Sequence, residues 1–446
     1  MTSIASSRSQ NVNSVLAIDM TALWNQKTTG IQRVIRETTP YLAAAAAERG
    51  WDIVLVKQHV RGLEEVVRWT GDFDAARVER DLNHIAAASL TEKQANASLV
   101  ARLLRKAAQS FRQADIGGRL GFRFLERKLR RLIPISVRRE FHGWRGKHLR
   151  LCATADAYLS FSAGLLPAQP PEFTPPERAV FVIHDLIPLH YSHNYPLDFT
   201  QAFSRNISEL AFGPYGSQGR FVTASRHVAA DIDELFHALV RKRVHIDVVS
   251  WGYDRKTFFP DADPQFRRRL GIPEDTLLVV AVSTQDPRKR FAEIQQAVSK
   301  LNAHAVFLGR GQPRREGNAI YLGHVSDSDV RRAYSSADVV VNWSAAEGFG
   351  LPTIEALACG AKVVIPSDNP TSIEVGGESV FVAEGANVEA LCNAIRNAFF
   401  SETPGTELTR FDWANSAEVL ESLLWPASKT ESVRIRNRPL ALATLD

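Results

Sequence analysis

Cysteine is scarce in this 446-residue chain: the three present, Cys152, Cys359 and Cys392, form no C-x-x-C pair and no clustered Cys/His spacing. A disulfide framework and a structural zinc site are therefore not expected, and a reducing cytoplasm is the compartment that fits. Long apolar runs are missing as well. No stretch of about 18 apolar residues occurs, and the opening MTSIASSRSQNVNSV lacks an apolar h-region, so neither a spanning helix nor a secretion signal is expected. There is no internal repeat at a fixed period and no low-complexity tract. What remains, with 45% hydrophobic and 23% charged residues, is the composition of an ordinary globular protein. The length suits two large α/β domains.

Charge is unevenly spread. The formal net charge is only +5, yet residues 101–150 hold fifteen Arg or Lys against Asp115, Glu126 and Glu140, a local balance of +12 that leaves the remainder at about −7. Within that stretch RLLRKAAQSFRQ and FRFLERKLRRLI mix basic residues with Leu, Phe and Ile at helical spacings, the pattern of a basic amphipathic surface. An anionic lipid leaflet, nucleic acid or the protein's own acidic remainder would each answer such a surface, since long charged side chains also simply snorkel. No zinc finger or RNP motif accompanies the charge, so nucleic acid is not expected as a partner. The expected location is cytoplasmic, peripheral on the inner face of the cytoplasmic membrane.

Along the chain, residues 1–14 read as a disordered tail. VLAIDM then reads as a strand, TALWNQKTTG as a Gly-containing loop and IQRVIRETTPYL as a helix, the opening of a Rossmann-like unit. Further strands are expected at 52–56, 157–162, 179–185, 220–225 and 245–252, giving a first domain over 15–260 with a basic helical insertion at about 60–150. After the turn-rich DRKTFFPDADP a second βα alternation runs from LLVVAVS to NVEALCNAIRNAFF, a second domain over 265–410. A helix over 411–425 and a patternless tail over 426–446 follow.

The most informative segment is AEGFGLPTIEALACG, residues 346–360, which follows an apolar strand and leads into a helix. Pro352 suits the first helical turn and Gly360 the position just past its end. Gly348 and Gly350 then lie in a loop where backbone can approach a ligand, and the free N–H groups of the helix start make an anion site for which phosphate is the expected occupant. Glu347 and Glu355 flank it, either to accept hydrogen bonds from sugar hydroxyls or merely as a solvated carboxylate and a complement to the helix dipole. In STQDPRKRFAEIQQA, Arg288 and Lys289 stand between a strand and a helix, where both suit phosphate. In YLGHVSDSDV, Gly323, His324 and Val325 place backbone groups at a strand end, where they could read a nucleobase edge.

Taken together and in this order, these residues resemble the glycosyltransferase family 4 group of GT-B nucleotide-sugar transferases over most of residues 265–425. EGFGLPTIEA is similar to that family's E-x7-E signature, DPRKR to its PRKN or PRKG segment, and YLGHVSDSDV to its glycine-valine base-binding loop. In the front half TTGIQRVIRE resembles the acceptor-domain glycine loop, VIHDLIPL the histidine-aspartate strand end, and FVTASRHVAADI with VVSWGYDRKTF the last two units. FDWANSAEVLESLL is similar to the closing helix that crosses back to the first domain.

The resemblance implies an α/β protein of two Rossmann-like domains facing across a cleft, acceptor site in the first and donor site in the second. Arg288 and Lys289 would hold the donor diphosphate, helped by backbone amides near Gly350 and Leu351. Glu355 would bind the ribose hydroxyls and Glu347 the donor sugar. Gly323 and Val325 would flank the base, Gly30 would let backbone approach the donor phosphates, and His184 would lie across the cleft near the reacting centre. Many relatives carry Gly-Arg where this chain has Ser283 and Thr284, which removes one diphosphate cation and leaves the role of Arg288 open. The leaving diphosphate is stabilised by fixed cations and a helix start, so neither a metal nor another cofactor is expected. The four D-x-D triplets, Asp72/Asp74, Asp231/Asp233, Asp261/Asp263 and Asp327/Asp329, do not stand convincingly at strand ends. The family also implies retention of anomeric configuration. The TGIQRV opening resembles that of bacterial surface-polysaccharide mannosyl- and rhamnosyltransferases, which favours a GDP-sugar over a UDP-sugar donor and a glycan or lipid-linked acceptor. A phosphorylase or epimerase on the same architecture, and a silent binding module, are the competing readings.

Overall fold

The computed structural model describes residues 13–24, 29–59, 62–70, 77–78, 80–83, 85, 152, 154–167, 170–171, 174–282, 286–309 and 311–426. Two seven-stranded sheets organise them. The first has the order β3-β2-β1-β4-β5-β6-β7 and is built from β1 (Val15–Asp19), β2 (Asp52–His59), β3 (Gly62–Trp69), β4 (Ala157–Ser160), β5 (Ala179–Val182), β6 (Arg220–Thr223) and β7 (Ile246–Val248). All its pairings are parallel except the β2–β3 hairpin at the edge.

The second sheet has the order β10-β11-β9-β8-β12-β13-β14. Its strands are β8 (Leu278–Val282), β9 (His304–Leu308), β10 (Arg314–Glu316), β11 (Ala319–Gly323), β12 (Val339–Val341), β13 (Val363–Ile365) and β14 (Val380–Val382), again parallel except for the edge pair β10–β11.

The central strands are continuous apolar runs because helices cover both sheet faces. In the first domain α1 (Thr29–Glu48) packs Val34 and Ile35 beneath Leu16 and Ile18. On the other face α2 (Leu197–Phe212) and α3 (Arg226–Val240) bring Phe203, Ile207, Ile232 and Phe236 against Ala17 and Phe181. In the second, α4 (Phe291–Lys300) and α8 (Val388–Phe400) cover one face, while α5 (Asp327–Ser336) and α6 (Leu351–Ala358) cover the other. The short α7 (Pro370–Gly376) lies between α6 and β14. Each fully buried Val, Leu, Ile or Phe contributes about 1.5–3 kcal/mol of burial free energy.

The last helix, α9 (Trp413–Leu424), does not join the second domain's core. It packs on α1, with Leu420 and Leu424 in the same cluster as Leu42 and Ala46, and its Ser416 hydroxyl donates to the Ser250 carbonyl at 2.7 Å. Phe349, Ile354 and Val375 also enter this first-domain cluster, so apolar contact runs across the two domains.

Two edges depart from the sequence reading. The sequence pattern places 62–69 in a basic helical insertion beginning near 60, yet these residues form β3, because Leu63 and Trp69 are buried at strand spacing and the segment pairs with β2 through seven registers. β10 was not expected, since all three of its residues are exposed and it carries no apolar pattern. Apart from residues 70, 77–78, 80–83 and 85, the rest of the proposed insertion, including residues 101–150, lies outside the described residues, as do the tails over 1–12 and 427–446.

Candidate functional site

Strand order locates the site. In an open parallel sheet, a crevice forms at the carboxyl ends of the strands where the order reverses. That point lies between β1 and β4 in the first sheet and between β8 and β12 in the second. The segment after β8 carries Arg288 and Lys289, and the segment after β12 carries Glu347, Gly348 and Gly350.

Within the second domain Asp286 caps a single helical turn, Pro287–Lys289, by accepting from the Arg288 amide, and this turn aims both cations at the β12 loop. The Lys289 ammonium pairs with the Glu347 carboxylate, Lys289 buried and the Glu347 side chain 10% exposed. Arg288 lies 3.7 Å from the same carboxylate, bonds Asp286 at 3.2 Å and donates to the Ala346 carbonyl. Gly350 has φ +93, a left-handed conformation suited to glycine, and it turns the chain into α6 with Pro352 in the first turn. Beside it the buried Ser372 hydroxyl has no hydrogen-bond partner among the described residues. A phosphate oxygen at the α6 start would supply one.

The first domain closes over this loop. Gly30, in the first turn of α1, faces Leu351 at the start of α6, where an added Cβ would stand 3.9 Å from the Leu351 Cδ1. The amino ends of two helices therefore lie side by side across the cleft, and each macrodipole favours an anion near its own start. Gly348 is pressed against the strand end that follows β5: a Cβ on it would stand 2.7 Å from the His184 carbonyl oxygen and 3.0 Å from the Asp185 Oδ2. Tyr191 reaches the Ala345 carbonyl at 3.4 Å, and Tyr195 lies beside Arg288.

Electrostatics differ between the two glutamates. Burial pushes Glu347 up, but the Lys289 and Arg288 charges outweigh it and hold this carboxyl below its ordinary range. Burial pushes Lys289 down, against the pull of Glu347. For Glu355, burial dominates and its carboxyl is raised, although Arg33 from α1 pairs with it across the cleft. Burial also raises Asp185, with Arg288 acting against it.

His184 sits where the strand end meets the second domain, but its ring faces its own domain. Nε2 lies 2.9 Å from the Phe161 carbonyl, which fixes the proton on that nitrogen, and the ring lies 6.4 Å from that of Trp251. Burial lowers its pKa to about 4, so the imidazole is neutral near pH 7. Gly323, at the end of β11 with φ +73, gives its carbonyl to the Gly309 amide at 2.9 Å, while His324 is exposed and Val325 half-buried beside it.

Three of the D-x-D pairs are engaged in local structure. Asp233 binds Arg243, Asp231 lies 3.3 Å from His190, Asp261 and Asp263 bind Arg331 and Arg269, and Asp329 completes the capping box of α5. Asp72 and Asp74, like Ser283 and Thr284, lie outside the described residues. Among the described residues no group of three or more His, Cys, Asp or Glu side chains is placed to hold a metal ion. Sequence reasoning missed Arg33, Asp185 and Ser372 as site residues. Asp185 adjoins His184 in a recognisable segment, whereas Arg33 and Ser372 carry no local signal.

Residues 276–399 match a family model described as glycosyl transferases group 1. The chain is 27% identical over 203 residues to the D-inositol 3-phosphate glycosyltransferase of Mycobacterium ulcerans, covering 39% of this chain and 44% of that protein. It is 45% identical over 78 residues to the O-antigen chain mannosyltransferase B of Escherichia coli, covering 17% and 20%. The chain thus spans less than half the length of these curated relatives. Among solved structures, the sucrose-phosphate synthase of Thermosynechococcus elongatus superposes with a TM-score of 0.50 over 95% of this chain and 97% of that one, at 14% identity, a likeness of fold. The fold is GT-B, and residues 276–399 of its second domain match the family model of the group 1 glycosyl transferases.

Proposed function

We propose that the protein is a metal-independent, retaining transferase of the family 4 kind, moving mannose or rhamnose from a nucleotide-diphosphate sugar, GDP-linked in preference to UDP-linked, to a glycan or lipid-linked acceptor of surface polysaccharide synthesis. The observation that carries this reading is the side-by-side placement of the α1 and α6 starts at Gly30 and Leu351, with Lys289, Arg288 and Glu347 on one side and Glu355 on the other. The mannosyl preference draws support from the Escherichia coli relative, whose named activity is mannosyl transfer.

Breaking the sugar–diphosphate bond places negative charge on the leaving phosphate. Two helix starts, Lys289, Arg288 and the Ser372 hydroxyl supply fixed positive charge and donors in a closed cleft, which stabilises an oxocarbenium-like transition state electrostatically. Glu347 sits against the cations, where it would accept hydrogen bonds from the donor sugar. His184, neutral and held by Phe161, would orient a hydroxyl rather than deliver a proton, and Asp185 is a first-domain carboxyl within electrostatic reach of the cations.

Nucleotide preference and metal independence are tested together by thermal unfolding in excess EDTA with GDP, UDP, GDP-mannose and UDP-glucose. A ligand at a hundredfold its Kd should raise Tm by about 4 °C, with the guanine ligands leading. No shift with any of the four removes the donor site. Transfer that stops on chelation and returns with Mn²⁺ or Mg²⁺ removes metal independence.

The same reading places the enzyme on the inner leaflet through residues 101–150, where each basic side chain near an anionic surface contributes about 1 kcal/mol. In liposome flotation, anionic vesicles should recover the protein and neutral ones should not, and the recovery should fall with salt. A variant with Arg127, Lys128, Arg130 and Arg131 changed to Ser should bind less. Equal recovery on both vesicle types overturns membrane docking.

A further inference from the structure

The acidic pair of the donor site is not treated evenly by the fold. Glu347 finds its cations within its own domain, from a turn capped by Asp286. Glu355, buried on α6, finds its cation in the other domain: the Arg33 guanidinium, one turn into α1, pairs with its Oε1 and reaches Asp327 at the start of α5 at 3.1 Å. Arg33 is held from below by the Phe258 ring, 5.5 Å from its centroid. The guanidinium therefore bridges the ribose carboxylate and the helix that follows the Gly323–Val325 loop.

We infer that Arg33 is a positioning residue for the donor, which reaches across from the first domain to hold the Glu355 carboxylate ionised and oriented for the nucleotide ribose, so that donor binding depends on the two domains being together. The inference rests on the proposed donor site. Among the described residues the titratable groups that act on Glu355 are Arg33 from α1, Asp327 and Tyr334 from α5, Asp254 from the turn-rich stretch between the two sheets and Cys359 just beyond α6. Among the described residues Arg33 is the cation paired with Glu355, and the two aspartates and burial all work against its charged form. A neutral carboxyl would donate a proton where the ribose hydroxyls themselves need an acceptor, so loss of Arg33 would weaken binding most at acidic pH.

The test is GDP and UDP binding by calorimetry from about pH 5.5 to 8.5 for the wild type, Arg33→Gln, Arg33→Lys and Glu355→Gln, with ligand-free melting of each. In Arg33→Gln the acid limb of binding should move to higher pH, with affinity several-fold below wild type at the acidic end of the range and approaching it at the alkaline end, because the lost guanidinium favoured the charged carboxyl. Arg33→Lys keeps the charge without the fork, and it should restore most of the acidic affinity while melting near wild type. A loss equal at every pH, no loss, or no rescue by Lys overturns the inference and leaves Arg33 a contact of domain packing only. Glu355→Gln separates the two levels. If it binds nucleotide as the wild type does, the donor site itself is wrong; if it binds weakly at all pH while Arg33→Gln binds normally, the donor site stands and the role of Arg33 falls.

Discussion

Lys289→Ala is expected to lower stability by about 3–5 kcal/mol and to abolish transfer, because it leaves the largely buried Glu347 carboxylate without its closest cation. Urea unfolding of the ligand-free protein measures the first effect and transfer to acceptor the second. The pair is diagnostic when both members are replaced. In Lys289→Met with Glu347→Gln no charge is stranded, so most of the stability should return, whereas transfer should not, since on the proposed reading neither the cation for the donor phosphate nor the hydrogen-bond acceptor for the donor sugar is restored. The pH dependence follows from Glu347, which is held below its ordinary 4.5. Its stabilising contribution is present above that value and is lost as pH falls through the lower folded pKa, so the wild-type advantage over the double variant should shrink on acidification. Transfer surviving in Lys289→Ala, or a double variant as unstable as the single, would dissociate the pair from the chemistry.

Gly348→Leu is expected to lower kcat/KM for the donor by about a hundredfold or more, a larger effect than its loss in melting. A Cβ at this position would stand 2.7 Å from the His184 carbonyl and 3.0 Å from Asp185, and the first of these obstacles is backbone that cannot turn aside. The larger side chain would wedge the β12 loop away from the strand end after β5. The cores on the far faces of both sheets are untouched, so the loss falls on the cleft and on the interdomain contact around Phe349: Gly30 and Leu351 would separate, and on the proposed reading the two helix starts would no longer serve one phosphate. Gly348→Ala should lie between, with the loss in donor kinetics exceeding any loss in melting. Wild-type kinetics in Gly348→Leu would show that transfer does not need the closed arrangement.

The elements around the site were legible in the chain because central parallel strands are buried on both faces. VLAID, VVAV and VVV can only be continuous apolar runs there, and Gly350, Pro352 and Gly360 punctuate the helix between them. Edges were less legible. β3 is half-buried and begins in a segment rich in charge, and β10 is wholly exposed, so neither needs the apolar pattern by which strands are found. Glu347, Glu355, Arg288 and Lys289 were visible as candidates because each stands at a strand-to-helix junction, where short-range chain geometry sets what a side chain can reach. Which cation meets which carboxylate was decided by the tertiary structure. Lys289 takes Glu347 because β8 and β12 are neighbours in the sheet although separated in sequence. Arg33 takes Glu355 across 322 residues because α9 returns to pack on α1 and the interdomain core around Phe349 and Ile354 brings the domains together. Such a pairing has no local signature: an ion pair depends on distance in space, and the sequence by itself sets distance only over a few residues.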